Sequence, residues 1–277
     1  MTTGGTAPLA RERNIIVAAL AVLSTAAWAV LVWQAETMAM TSMGPTMGMT
    51  AALFLALWVV MMVAMMFPTA APMIVLFGRV QAQRRSRREA YVATSMFVGA
   101  YLFVWAASGL AAFLAAVAAE RLAAALGIPA ETAARIGGAL LVIAGLYQLT
   151  PLKRACLTHC RSPLSFVMTA WRPGPAGALR IGLAHGIYCL GCCWLLFVIL
   201  FPLGMMNVAA MAMITLFIFA EKTFPVGRRV MQAGAAILIL YGLAVLVEPA
   251  LLPTFISGNT MVMPDGSIMV MPEGSGM

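Results

Sequence analysis

Long runs of apolar residues recur along the chain, and the short segments between them hold most of its charge. A helix rises ~1.5 Å per residue, so that ~20 apolar residues match the ~30 Å hydrocarbon core of a bilayer. Only 9% of the 277 residues are charged, whereas a soluble domain carries roughly 25%. The alternating segments of ~10 residues that are typical of membrane barrels are not visible. We therefore predict an all-α, polytopic integral membrane bundle that contacts the lipid bilayer.

Seven segments are predicted to cross the membrane. They are residues 14–33, 51–77, 91–118, 136–151, 181–203, 205–220 and 232–252. Basic residues crowd the cytoplasmic loops of membrane proteins, and an N-terminus in the cytoplasm places every Lys and Arg except Arg121 and Arg135 inside. The prediction is therefore an N-in, C-out protein of the inner (cytoplasmic) membrane of the cell. The same bias explains the net charge of +8, so that no nucleic-acid partner is expected.

Two domains are expected, a transmembrane helical domain over residues 1–252 and a flexible, Met-rich tail over residues 253–277. The second span contains Pro68 and Pro72. Each proline removes a backbone donor and clashes with the preceding turn, which predicts a kink or a break. Freed carbonyl groups are tolerated in lipid only where protein or a polar cavity satisfies them. This span is therefore predicted to face the interior of the bundle.

All five cysteines and both histidines lie within positions 156 to 193. They are Cys156, His159, Cys160, His185, Cys189, Cys192 and Cys193. Helical positions i, i+3 and i+4 share a face, so that the first three can point at one ion and the last four form a stripe. Thiolate and imidazole are ligands of soft or borderline metals. We predict a metal site for copper, in preference to zinc or iron, that extends from the inner surface towards the membrane midplane.

Two other interpretations of the cysteines remain open. Free cysteine is often a small buried packing residue, and Cys189-x-x-Cys192 has the spacing of a thiol–disulfide motif. The predicted topology places these residues on the reducing side of the membrane, which disfavours a disulfide. If one metal site is shared, the loop between Cys160 and His185 must bring the two groups together.

Methionine is a second soft donor in this chain, which contains 23 of them. Thioethers bind Cu(I) and few other biological metals, although methionine in an apolar helix is also ordinary packing. Candidates for a path or for support of the site are Met61, Met62, Met65, Met66, Met205, Met206 and the carboxylate of Glu221. Candidates for outer metal capture are Met38, Met40, Met43, Met261, Met263, Met269 and Met271. Glu221 either forms an interfacial pair with Lys222 or orients a histidine ligand.

Four stretches carry a family resemblance: HCRSP at 159–163, GLAHGIYCLGCCW at 182–194, MMVAMMFP at 61–68 and Glu221-Lys222. They resemble a bacterial family of predicted metal-binding integral membrane proteins, the domain of unknown function family 2182. The resemblance extends over nearly the whole chain, and the run GIYCLGCCW is its most specific part. It implies metal binding and a polytopic helical fold, and it supplies no reaction. The two outer Met-rich segments are not part of the shared pattern.

The leading hypothesis is a copper-handling membrane protein that transports the ion or presents it to a metallochaperone or metalloenzyme partner. Outer thioethers would collect Cu(I), and the Met-rich second span would pass it to the cysteines. One alternative is a membrane redox enzyme that is metal- or thiol-dependent and linked to quinone. Another is a non-catalytic subunit of a larger membrane complex. No Walker A loop, Ser–His–Asp set or dinucleotide fingerprint is present, so that an enzyme is the less favoured class.

Reporter fusions test the predicted topology. Fusions at Arg85 and Arg172 should report a cytoplasmic position, and fusions at Met43 and Asp265 an extracytoplasmic one, because basic loops stay inside. A cytoplasmic signal at Asp265 would contradict the odd number of spans. It would also remove the Met-rich tail from the side on which copper capture is expected.

Overall fold

The computed structural model describes residues 6–38, 45–46, 48–84, 87–172, 174–254, 260–262 and 268–270. Within these ranges the helices are α1 (Thr6–Met38), α2 (Ala51–Arg84), α3 (Arg87–Leu126), α4 (Ala130–Gln148), α5 (Pro151–Arg161), α6 (Pro163–Ala170), α7 (Pro175–Val198), α8 (Leu200–Leu203), α9 (Val208–Thr223) and α10 (Gly227–Val247). A 3-10 turn at Pro249–Leu251 follows, and strands β1 (Thr260–Val262) and β2 (Ile268–Val270) pair antiparallel. The predicted all-α bundle is confirmed.

Six helical segments are long and apolar enough to cross a membrane. They are Arg11–Thr37, Ala51–Gln83, Arg88–Leu126, Ala130–Gln148, Pro175–Leu203 and Gly227–Val247, and they correspond to six of the predicted spans. The remaining predicted span, 205–220, corresponds to α9, which has 16 residues. Such a helix rises only ~24 Å, less than the ~30 Å of the hydrocarbon core. The crossing by α9, and with it the placement of the two termini on opposite sides, stays a prediction.

The carbonyl group that Pro68 frees is satisfied by the neighbouring helix. Helix α2 continues through both prolines, so that the expected break does not occur. Pro68 cannot donate to the carbonyl oxygen of Ala64, four residues earlier. Ser24 Oγ and Trp28 Nε1 of α1 donate to that oxygen instead, at 3.0 and 3.1 Å. Helix α2 is thus hydrogen-bonded to α1 at the point where Pro68 interrupts its own series of backbone hydrogen bonds.

The packing of the helices places α2 and α7 at the centre. Helix α3 packs against both of them, α5 lies along α7, and α9 contacts α2 and α10. Helices α4 and α10 form a close pair because glycine lines their contact: a Cβ added at Gly138 would lie 3.0 Å from the carbonyl oxygen of Gly242. Small residues are typical of such close backbone approaches between membrane helices.

Aromatic side chains fill the space between α2, α3 and α7 towards the beginning of α2. We call Phe54, Trp58, Trp105, Phe113 and Phe197 the aromatic layer. The Phe54 ring centroid lies 5.2 Å from that of Phe113, and the centroids of Trp105 and Phe197 are 5.1 Å apart. Trp58 Nε1 also donates to the carbonyl oxygen of Trp105 at 3.0 Å. The aromatic layer therefore closes this end of the core with rings that pack tightly and are anchored by a buried hydrogen bond.

The bonds to the Ala64 carbonyl should contribute measurably to stability. We expect Ser24→Ala combined with Trp28→Phe to lower the free energy of unfolding by ~1–3 kcal/mol, because a buried acceptor loses its partners. Pro68→Ala restores the backbone donor, so that the same pair of substitutions should cost less in that background. Unfolding in mild detergent, followed by circular dichroism during titration with a denaturing detergent, measures both values. Trp33→Phe, at a ring that is 62% exposed, is the control, and an equal cost in both backgrounds would refute the assignment.

Candidate metal site

The second group of predicted ligands lies on one continuous helix. His185, Cys189, Cys192 and Cys193 are all buried on α7. The thiols of Cys192 and Cys193 donate to the carbonyl oxygen of Cys189, at 3.1 and 2.8 Å. The predicted stripe is therefore present, and two of its sulfur atoms are turned back onto their own helix.

The first group of predicted ligands is brought to the same place by α5. The side chain of Thr150 caps the start of α5 by accepting from the backbone N–H of Lys153 at 3.2 Å, and the helix then lies along α7. Cys156 faces Gly191, where an added Cβ would lie 2.9 Å from the Cys156 sulfur. The Cys160 thiol interacts directly with the thiols of Cys189 and Cys192. The predicted approach of the two groups is thus observed.

The two thiols of α5 are poor acids in this environment. Interaction with the thiols of Cys189 and Cys192, together with burial, raises the pKa of Cys160 well above its usual value. Burial and the neighbouring Cys192 raise the pKa of Cys156. Both thiols therefore remain protonated at neutral pH in the metal-free protein. A metal ion that binds them as thiolates must release their protons.

The two histidines have different surroundings. His159 is exposed, its ring stacks on Tyr188 with centroids 4.1 Å apart, and its Nδ1 lies 2.9 Å from the carbonyl oxygen of Ala155. His185 is buried among Phe97, Tyr101 and Phe166, whose centroids lie 5.9, 5.5 and 5.9 Å away. Neither ring nitrogen of His185 has a hydrogen-bond partner among the described residues. Buried polar atoms without hydrogen-bond partners are rare. A ring nitrogen of this imidazole is therefore free to bind a metal ion, one helical turn before Cys189.

Lys222 is the residue of this site that sequence reasoning missed. Its ammonium nitrogen lies 3.1 Å from the Cys189 sulfur and 3.4 Å from Thr69 Oγ1 of α2. The hydroxyl oxygen of Tyr101 on α3 lies 3.3 Å from the same sulfur. Cys189 is therefore the point where α2, α3, α7 and α9 meet. Ionisable residues inside membrane helices are usually functional, and that rule could have singled out Lys222, which the sequence had suggested as an interfacial residue.

Glu221 pairs with a lysine and not with a histidine. Its carboxylate oxygens lie 2.8 and 3.0 Å from Lys153 Nζ, and Lys153 also donates to the side-chain oxygen of Gln148. Both charged side chains are almost completely buried, at 0% and 2% exposure. Arg161 in turn donates to the carbonyl oxygens of Glu221 and Phe224, at 3.2 and 2.8 Å. Neither suggested role of Glu221 is observed; it joins α4, α5 and α9 instead.

The methionines divide into three sets. Met61, Met62, Met65 and Met66 are buried on α2 between Trp58 and Thr69, next to the level of Lys222. Met205 and Met206 lie at the turn before α9. Leu203 precedes that turn and is separated from Cys189 by a helical rise of ~21 Å, so that this pair is far from the thiols. The side chains of the capture candidates Met38, Met40, Met43, Met261, Met263, Met269 and Met271 lie outside the described residues. Of the two sets whose side chains are described, the first lies nearer to the thiols.

The lengths of α4 and α10 can be compared with the membrane, and their ends with the level of the thiols. Helices α4 and α10 have 19 and 21 residues, which is about what the ~30 Å hydrocarbon core requires. The hydroxyl group of Tyr147, next to the end of α4, donates to the carbonyl oxygen of Gly191, and α10 begins five residues after Lys222. The ends of the two short helices therefore coincide with the level of the thiols. Cys189 is the central residue of the membrane-length segment Pro175–Leu203, so that the depth of the thiols in the membrane stays a prediction.

The described residues contain no group of three or more His, Cys, Asp or Glu side chains that is arranged to hold a metal ion. The reason is visible at Cys192 and Cys193, whose sulfur atoms point to a backbone carbonyl. Rotation of these side chains about χ1 has to precede coordination by several thiolates. No disulfide is formed, and all five cysteines are free.

Together, the fold and the clustered thiols define a polytopic membrane protein with soft donor groups buried beside a lysine. Residues 55–245 match the PpoB2 family of copper chaperones. This segment includes most of the chain and every cysteine and histidine, and the protein belongs to that family. The relation to domain of unknown function family 2182 is compatible with this finding. No curated protein and no solved structure matches the chain.

The buried Lys153–Glu221 pair should be a major contributor to the stability of the site. We expect Glu221→Gln to lower the free energy of unfolding by ~3–5 kcal/mol, because the Lys153 ammonium group is left buried without an anion. Lys153→Met combined with Glu221→Met should cost less than the single substitution, since no charge remains buried. Glu131→Gln breaks the half-exposed pair with Arg135 and should cost less than ~1 kcal/mol. Denaturation in mild detergent gives all three values, and a double variant less stable than Glu221→Gln would contradict this role.

Proposed function

We propose that this protein binds Cu(I) as cargo on the thiolates of Cys160 and Cys189, beside the thiol of Cys192, and presents it to a partner in the inner membrane. The observation that carries the proposal is the direct interaction of these three thiols, which come from two helices, beside the ammonium group of Lys222. Membership of a copper chaperone family supports the identity of the metal. Thiolate sulfur is also a donor that favours Cu(I), together with zinc and iron–sulfur clusters.

The chemistry of the donors favours copper over zinc at this position. Cu(I) is satisfied by two or three thiolates, whereas structural zinc sites are four-coordinate and tetrahedral. Binding would replace the thiol protons of Cys160 and Cys189 by the metal, and Cys192 would keep its proton and its hydrogen bond to the Cys189 carbonyl oxygen. Cys193 and the free imidazole of His185 are further donors within the buried part of the site.

The exposure of the donors suggests a route for transfer. His159 is exposed, Cys156 and Cys160 are half-buried, and the thiols of α7 are buried. A partner could therefore exchange Cu(I) with Cys156 and His159 at the surface of α5 and pass it through Cys160 to Cys189. Exchange between neighbouring thiolates avoids the release of a free ion, because each step forms one metal–sulfur bond while another is broken.

Presentation from one side is better supported than transport across the membrane. The thiols lie at the level of the end of α4 and the beginning of α10, and the aromatic layer occupies the core towards the other end of the bundle. A through-path would require the rings of this layer to move apart. The thioethers of Met61, Met62, Met65 and Met66 lie between the aromatic layer and the thiols, where they can stabilise Cu(I) by weaker coordination. Capture of copper by the outer Met-rich segments remains part of the proposal and rests on their sequence.

Serine substitutions at the thiols test the proposed site. We expect Cys189→Ser and Cys160→Ser each to lower copper content by tenfold or more at limiting copper, because a hydroxyl is a hard, weak donor. Cys156→Ser should retain the bound copper but slow its exchange with a soluble Cu(I) chelator. Elemental analysis of protein purified in mild detergent under reducing conditions, without a His tag, measures the content. Met213→Leu, at a side chain that is 65% exposed, is the matched control for substitution in an apolar helix.

Unchanged copper content in both Cys189→Ser and Cys160→Ser would refute the site. Copper content that falls only when the circular dichroism of the variant also falls would indicate a structural role for the thiols. In the first case thiol–disulfide chemistry at Cys189 and Cys192 would become the better explanation of the cluster.

A further inference from the structure

Lys222 is a buried cation whose charge is directed at the thiols. Its nitrogen contacts only the Cys189 sulfur and the Thr69 hydroxyl among the hydrogen-bond partners that the described residues provide. Cys160, Cys192 and Cys193 also lie within range of its charge. The carboxylate next to it in sequence, Glu221, is held by Lys153 in a separate buried pair. Glu221 also lies within range of the Lys222 charge, but its ion pair is with Lys153, whereas the ammonium group of Lys222 contacts the thiol site directly.

We infer that Lys222 determines the charge selectivity of this site, so that the site accepts a monovalent soft cation and disfavours a divalent one. The inference rests on the proposed function and specifies how the same site distinguishes Cu(I) from Zn(II). Lys222 acts here as a specificity-determining residue and not as a ligand.

The net charge of the loaded site explains the selectivity. Two thiolates, one Cu(I) ion and the Lys222 ammonium group have a net charge of zero. The same two thiolates with a divalent ion and Lys222 leave one uncompensated positive charge. Burial of an unpaired charge is costly in a low-dielectric interior. The fixed cation therefore penalises Zn(II) and at the same time neutralises the copper complex.

Removal of the Lys222 charge should shift the preference of the site from Cu(I) towards Zn(II). Without Lys222 the bis-thiolate complex of Cu(I) is left with one negative charge, and the complex of Zn(II) becomes neutral. The two affinities are therefore expected to change in opposite directions. A lysine that only anchors α9 against α2 and α7 would, on its removal, weaken both metals in the same direction. The ratio of the two affinities separates these roles.

The experiment uses the full-length protein in mild detergent under anaerobic, reducing conditions. The Kd for Cu(I) is measured by competition with a chromophoric Cu(I) chelator, and the Kd for Zn(II) by competition with a fluorescent zinc indicator. We expect Lys222→Met to lower the ratio of the Zn(II) Kd to the Cu(I) Kd by about tenfold or more, which corresponds to ~1.4 kcal/mol. Lys222→Arg, which keeps the charge, should retain the ratio of the wild type within about threefold.

A second variant neutralises the Lys222 charge from another helix, α2. Thr69→Asp places a carboxylate beside the Lys222 nitrogen and should lower the ratio in the same direction as Lys222→Met, although Lys222 is still present. An unchanged ratio in whichever of these two variants retains its fold overturns the inference. If both lose their fold, a Lys222→Arg variant that folds and has a tenfold lower ratio also overturns it. Wild-type protein that binds no Cu(I) would instead refute the proposed function, so that the two failures are distinguishable.

Discussion

Two buried lysines organise the interior of this protein, and the rest of the site depends on how each is compensated. Lys153 is neutralised by Glu221 and also donates to Gln148, which joins the end of α4, the beginning of α5 and the end of α9. Lys222, one residue after Glu221, points in another direction and contacts the Cys189 sulfur. A buried charge without a partner costs several kcal/mol. The Lys153–Glu221 pair therefore holds α5 and α9 together, and the contact with Cys189 directs the charge of Lys222 towards the thiols.

The bilayer imposes the same requirement on uncharged groups. The carbonyl oxygen of Ala64, which Pro68 leaves free, accepts from Ser24 and Trp28 of α1, and the indole N–H of Trp58 donates to a backbone carbonyl of α3. Polar atoms in this bundle are therefore largely satisfied between helices. The two nitrogens of His185 are an exception within the described part of the chain, and they lie one turn from the thiol on which the proposed copper site is centred.

The metal-free arrangement also limits how the site can work. The sulfur atoms of Cys192 and Cys193 are hydrogen-bonded to a carbonyl of their own helix, so that coordination by either thiol would require local side-chain rotation and the loss of its proton. This metal-free arrangement suits the proposed function, because copper would be bound only after thiols have lost their protons. The thiols of α5 are half-buried and His159 is exposed, so that in the proposed function a partner would approach from this side.

Much of the fold was predictable from sequence, because an apolar run of membrane length has few alternatives to a helix in lipid. Six of the seven predicted spans correspond to membrane-length helices, and helical periodicity correctly placed the cysteines of α7 on one buried side. The loop length between Cys160 and His185 allowed the two groups of donors to meet, and they do. The bounds of α9 were less predictable than its length: the helix has the 16 residues of the predicted span 205–220 but ends three residues later, beyond Glu221 and Lys222, which other helices bury.

The sequence by itself determined the class of protein and the chemistry of its donors, since hydropathy depends on composition and metal preference depends on the donor atoms. Only the tertiary structure decided which groups act together. Nothing in the spacing of Lys153, Thr69, Tyr101 and Lys222 brings them to Glu221 or Cys189, because these contacts join residues 33 to 153 positions apart. The charge beside the thiols therefore comes from long-range packing, which a local pattern does not record.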